Sequence, residues 1–110
     1  MKKMTNMLIV AAAAGCVCGA LTALAAEQNI TQKDKLFSPA TVTIKKGDTL
    51  VFENDDDVVH NIMSTTGGSE FNLGAQKPGA KVSQTFSKAG EVLVICAIHP
   101  RMKLTVNVVE

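Results

Sequence analysis

The chain has 110 residues, with 11 Lys and Arg against 10 Asp and Glu, two His, three Cys, four Phe and neither Trp nor Tyr. That length holds one small domain and excludes two. The first 25 residues carry Lys2 and Lys3 and no acid, so nine basic and ten acidic side chains remain beyond them. A net charge near −1 gives no electrostatic footing for nucleic acid or for a polybasic hold on a membrane.

Lys2 and Lys3 precede an uncharged apolar stretch from Met7 to Leu24 that closes on Ala23-Leu24-Ala25 before the polar Glu27-Gln28-Asn29. This three-part pattern is that of a secretory signal peptide over residues 1–25, cleaved after Ala25 to leave a domain over 26–110 in the periplasm. Only if the segment stayed uncleaved would it anchor the chain to a membrane, since the run approaches the roughly 20 residues that span a bilayer. A lipoprotein reading through Gly15-Cys16 is weaker, because Ala13 stands where a larger aliphatic residue is usual.

Cys16 and Cys18 leave with the signal, so the exported body keeps Cys96 alone and can form no internal disulfide. An unpaired thiol in an oxidising compartment is buried, paired between chains or occupied by a metal.

From Leu36 onward, short runs rich in Val, Ile, Thr and Phe alternate in polarity and are separated by turn residues, the signature of a β-sandwich. Ala40, Val42 and Ile44 share one face of a strand that ends in the Lys45-Lys46-Gly47-Asp48 turn, where Gly supplies φ > 0. Leu50 and Phe52 carry the core into the next strand, Asn54 to Asp57 reads as a solvated polar turn, and Val58 to Ser64 as a short extended segment bearing His60. Thr65 to Gly79, with four Gly and one Pro, reads as the longest irregular stretch. Three strands close the chain, Val82–Phe86, Glu91–Cys96 and Met102–Val109. Alternation puts Val92, Val94 and Cys96 on one face, and Met102, Leu104, Val106 and Val108 on one face of the last strand.

The segment Cys96-Ala97-Ile98-His99-Pro100-Arg101-Met102 joins the last two strands and gathers three potential metal ligands, Cys96, His99 and Met102. His60 is a fourth, brought alongside by a neighbouring strand. One thiolate, two imidazoles and one thioether form a soft set that suits copper better than Zn, Ca or Mg. Two His and a Cys in a plane with a long axial Met is the blue-copper arrangement, and the absence of C-x-x-C-H disfavours haem. Met63 lies on the opposite strand face to His60 and reads as packing.

At these residues the chain resembles the cupredoxins, specifically the plastocyanin and amicyanin group. The resemblance covers about Leu36 to Glu110 through Phe37-Ser38-Pro39, Val42 to Thr49, His60-Asn61, Thr85-Phe86, Ala89-Gly90 and the Cys-to-Met loop, whose short spacing from His99 to Met102 looks more like amicyanin than plastocyanin. It implies an all-β, Greek-key sandwich of about eight strands with one type 1 copper held by His60, Cys96, His99 and Met102. It further implies a monomer that exchanges single electrons with redox partners such as a dehydrogenase or a c-type cytochrome, with His99 and Pro100 at the rim where electrons leave. Asn61 resembles the family residue whose backbone N–H donates to the Cys sulfur. Where amicyanin has Pro before its second His this chain has Ile98, so a second N–H is expected near the sulfur, and Ile98→Pro is expected to lower the potential. With both His used as ligands none remains for an enzymatic second centre. The alternative function is a copper chaperone or storage protein.

Overall fold

The computed structural model describes residues 24–110. The signal-peptide reading of residues 1–25 therefore lies, apart from Leu24 and Ala25, outside the described residues. Nine strands follow in order: β1 (Glu27–Lys33), β2 (Leu36–Ser38), β3 (Thr41–Lys45), β4 (Thr49–Asn54), β5 (His60–Ser64), β6 (Phe71–Gln76), β7 (Lys81–Thr85), β8 (Gly90–Ile95) and β9 (Lys103–Val109). They form a four-stranded sheet ordered β2-β1-β4-β7 and a five-stranded sheet ordered β3-β9-β8-β5-β6. Two pairings are parallel, β1 with β4 and β3 with β9, and the others antiparallel. Neighbours far apart in sequence and chain crossings between the sheets are the Greek-key pattern expected of a β-sandwich.

Alternation decides which residues face in. Leu50, Phe52 and Asn54 of β4, Val92 and Val94 of β8, and Leu104, Val106 and Val108 of β9 are buried, while their sequence neighbours face out or lie at the margin. Each large apolar side chain removed from water contributes roughly 1.5–3 kcal/mol, and this interior, closed by Ile30, Phe37 and Ile62, holds the sheets together. Phe71 of β6 meets Phe86, just past β7, edge to face at 5.8 Å, so the two sheets are also pinned along the side where their edge strands meet.

Three differences from the sequence reading stand out. Glu27–Lys33 is a strand although only Ile30 and Gln32 of it are buried, because its backbone pairs in parallel with all of β4 from Glu27 opposite Thr49 to Gln32 opposite Asn54. Phe71–Gln76 is a strand inside the stretch read as irregular, with a register shift against β5 between Asn61 and Met63 that its Gly74, at φ 79°, accommodates. Ala40 does not join the Val42 and Ile44 face; it lies exposed on the bend before β3. The strand count is thus nine rather than about eight.

For function, the consequential neighbours are β5, β8 and β9, adjacent in the five-stranded sheet. His60 opens β5, Cys96 follows β8, and Met102 precedes β9, so the potential ligands lie at one end of the sandwich.

Candidate metal centre

The loop from 96 to 102 is closed by its own backbone. The Cys96 N–H donates to the Met102 carbonyl at 3.2 Å and the Met102 N–H to the His99 carbonyl at 2.9 Å, a tight return that brings both ends and the middle of the loop to one place. Cys96 and Met102 are buried, Met102 completely, whereas His99 is half-buried and its neighbours Ile98 and Pro100 are exposed. His60 is wholly buried.

Three donor atoms converge. The Cys96 Sγ lies 3.7 Å from His99 Nδ1 and 4.0 Å from His60 Nδ1, and the two Nδ1 atoms are 3.1 Å apart. The rings meet edge to face with centroids 4.8 Å apart. His60, Cys96 and His99 are thus arranged as a potential copper site. The donor set fits the metal: soft sulfur and borderline imidazole nitrogen converge within 4.8 Å of one another, with His60 and Cys96 buried and His99 half-buried.

Around this point the backbone supplies a support. The Asn61 N–H donates to Cys96 Sγ at 3.3 Å, the contact expected of this residue, and the Asn61 side chain accepts from the Ala97 N–H at 3.3 Å and donates to Asn72 Oδ1 at 3.1 Å. One residue thereby ties β5, β6 and the loop. The second N–H expected at the sulfur is not there: among the described residues the sulfur's backbone donor is Asn61, and Ile98 turns outward with 52% of its surface exposed.

The sequence reading missed Asp56. Asp55 and Asp57 are exposed, as a solvated turn requires, but the side chain of Asp56 keeps only 8% of its surface. Its Oδ2 lies 2.9 Å from His60 Nε2 and accepts from the Lys35 N–H at 2.8 Å. The Lys35 amide and then the His60 ring hold the Asp56 carboxyl down at about 2. The spacing D-x-x-x-H was the available signal, hidden by two flanking Asp residues of ordinary kind. Beneath it, Asn54 Nδ2 donates to the carbonyls of Val58 and Gln76, both at 2.9 Å, and Asn54 Oδ1 accepts from the Asp56 N–H.

Beside His99 is an apolar hollow lined by Leu36, Pro100 and Arg101 with Asp34 and Lys35. Pro100 and Arg101 stand at this rim beside His99. Lys35 of the β1–β2 turn and Leu36, which opens β2, lie more than sixty residues away in sequence, and no local pattern announces them.

A family model described as a cupredoxin-like domain matches residues 6–108. The methylamine utilization protein MauL of Methylorubrum extorquens is 30% identical over 109 residues, covering 98% of this chain and 96% of that protein. MauL of Methylophilus methylotrophus is 39% identical over 83 residues, 71% of this chain, and the chain spans about half of that relative's length, 48%. Among solved structures, a purple cupredoxin from Nitrosopumilus maritimus matches with a TM-score of 0.65 and 26% identity over 73% of this chain and 97% of its own. A copper-containing nitrite reductase from Thermus scotoductus matches with a TM-score of 0.70 and 27% identity over 87% of this chain and 25% of its own. A reduced amicyanin variant matches with a TM-score of 0.69 and 24% identity over 74% of this chain and 80% of its own, a likeness of fold.

Proposed function

Because the chain belongs to the cupredoxin-like domain family, we propose that it is a periplasmic type 1 copper protein that carries single electrons between redox partners. The observation that carries this reading is the meeting of Cys96 Sγ, His60 Nδ1 and His99 Nδ1 at one place. Copper there supplies a one-electron couple between Cu(I) and Cu(II), and a site held rigid in one geometry changes little between them. In this reading Cys96, His60 and His99 would hold the copper, with the Met102 thioether as a weaker fourth ligand. Asn61 steadies the thiolate through its N–H, withdrawing electron density from the sulfur.

His99 is the ligand nearest solvent and opens beside the hollow at Pro100, which makes it the exit for electrons toward a docked partner. A dehydrogenase as donor and a c-type cytochrome as acceptor, with this chain working as a monomer, fit that role. The relatives named for methylamine utilization support partners that belong to methylamine utilization. An enzymatic role is disfavoured, since the only two His of the chain lie in this one cluster and leave none for a second copper or a general base.

The visible spectrum of the protein loaded with Cu(II) tests the reading. An intense blue or violet charge-transfer band is expected. Tight binding of Cu(I) with no such band on oxidation would point to the chaperone or storage role, and failure to take up copper at all would overturn the assignment.

A further inference from the structure

Asp56 is spent in an unusual way for a surface turn. A carboxylate that could sit in water is instead largely shielded, giving one oxygen to two donors from different parts of the chain, the His60 ring at 2.9 Å and the Lys35 amide at 2.8 Å. Its backbone is fixed as well, because the Asp56 N–H donates to Asn54 Oδ1 at 2.9 Å while Asn54 Nδ2 is held by the Val58 and Gln76 carbonyls. The carboxylate is therefore placed by both sheets: Lys35 belongs to the β1–β2 turn of one, and His60 and Gln76 pair across β5 and β6 of the other. Neutral imidazole carries one proton, and an ionised carboxylate accepts but cannot donate. With Asp56 at Nε2, the proton sits there and the Nδ1 lone pair is left facing Cys96 and His99.

We propose that Asp56 is a positioning residue for the copper centre: it fixes His60 in the Nε2–H tautomer and, through its charge, holds the centre at a lower reduction potential than an uncharged partner would. The proposal rests on the type 1 copper reading above. The physical argument has two parts. A carboxylate hydrogen-bonded to the far nitrogen of a ligating imidazole makes that ring a stronger donor and fixes its orientation. A negative charge close to a metal favours the more positive oxidation state, Cu(II), and so lowers the potential.

The two parts separate by mutation. Asp56→Asn keeps an oxygen that accepts from His60 Nε2 and Lys35 N–H but removes the charge, and Asp56→Ala removes both. In the metal-free protein, long-range 1H–15N spectra should show His60 protonated at Nε2 in the wild type and in Asp56→Asn, and a tautomer mixture in Asp56→Ala. In the copper-loaded proteins, the potential should rise in Asp56→Asn and at least as far in Asp56→Ala, while Asp56→Glu, which restores a carboxylate, should return part of the shift. A wild-type potential in both Asn and Ala variants that take up copper and stay blue would overturn the proposal and leave the copper reading intact. If the wild type itself forms no blue site, the copper reading fails, and the metal-free tautomer of His60 still decides the positioning role: an Nδ1–H ring in the wild type would overturn it.

Discussion

Cys96 carries a role that its burial alone would not reveal. A buried thiol is ordinarily a small core hydrophobe, yet here it accepts an N–H from Asn61 and lies within 4.0 Å of two imidazole nitrogens. Cys96→Ser should abolish the blue band while leaving a folded protein, since an oxygen of nearly the same size fills the position without supplying thiolate charge transfer; circular dichroism and the visible spectrum together check it. Ile98 makes the complementary case. Its amide makes no hydrogen bond to the sulfur in this structure, so Ile98→Pro should leave the potential near that of the wild type, well short of the change expected for Asp56→Asn, contrary to what the resemblance to the amicyanin loop implies. Voltammetry of the two variants side by side checks this, and a marked fall for Ile98→Pro would show that the amide reaches the sulfur once metal is bound. The three donors that meet, His60, Cys96 and His99, were legible because the C-x-x-H-x-x-M spacing is a local pattern, and Asn61 because the His-Asn pair resembles that of the cupredoxins. Asp56 was not, because its burial depends on the Lys35 turn closing over it.

Among elements, the strands that could be read were those whose stability comes from their own alternating faces. β3, β4, β8 and β9 present Val, Ile, Leu and Phe at every second position, and the structure buries those positions. β1 and β6 draw their stability from pairing instead: β1 is mostly polar and exists because β4 offers it a free edge, and β6 closes the other sheet beside β5. Single-chain patterning is blind to such strands. The start of β1 is also tied down by one side chain. Asp48, at the end of the Gly47 turn, accepts from the Ala26 N–H at 2.9 Å and from the Lys45 N–H at 3.0 Å, and these two amides hold its carboxyl below the usual range. A carboxylate whose folded pKa is depressed contributes stability that is complete above its unfolded value, about 4, and is lost as pH falls through the folded value. The metal-free wild type should therefore lose more stability between pH 6 and pH 3 than Asp48→Asn, whose side chain has no charge to lose. Urea unfolding at the two pH values measures it; equal losses would mean that the Asp48 bonds contribute nothing to folding.

At the scale of the whole molecule the question is whether the metal makes the fold or only decorates it. Small domains that depend on a metal lack a core of their own and unfold without it. This sandwich has one: Ile30, Leu50, Phe52, Ile62, Val94, Leu104 and Val106 are completely buried and are drawn from strands of both sheets. The metal-free protein should accordingly be folded and unfold cooperatively. A metal held by His60, Cys96 and His99 would nevertheless join β5 to the loop between β8 and β9, and a ligand that binds only the folded chain adds RT ln(1 + [L]/Kd), about 2.7 kcal/mol at a hundred times Kd. For a domain of this size each kcal/mol is worth about 4–8 °C in Tm, so saturation with copper should raise Tm by about 10–20 °C, and more as the metal excess over Kd grows. Scanning calorimetry of the metal-free and copper-loaded proteins, with a chelator to reverse the loading, reads this directly. A metal-free protein with no cooperative transition would show that the core does not suffice. A transition that copper leaves in place would show that His60, Cys96 and His99 do not bind the metal as a set, because three ligands drawn from two chain segments cannot grip one ion without opposing the separation of those segments.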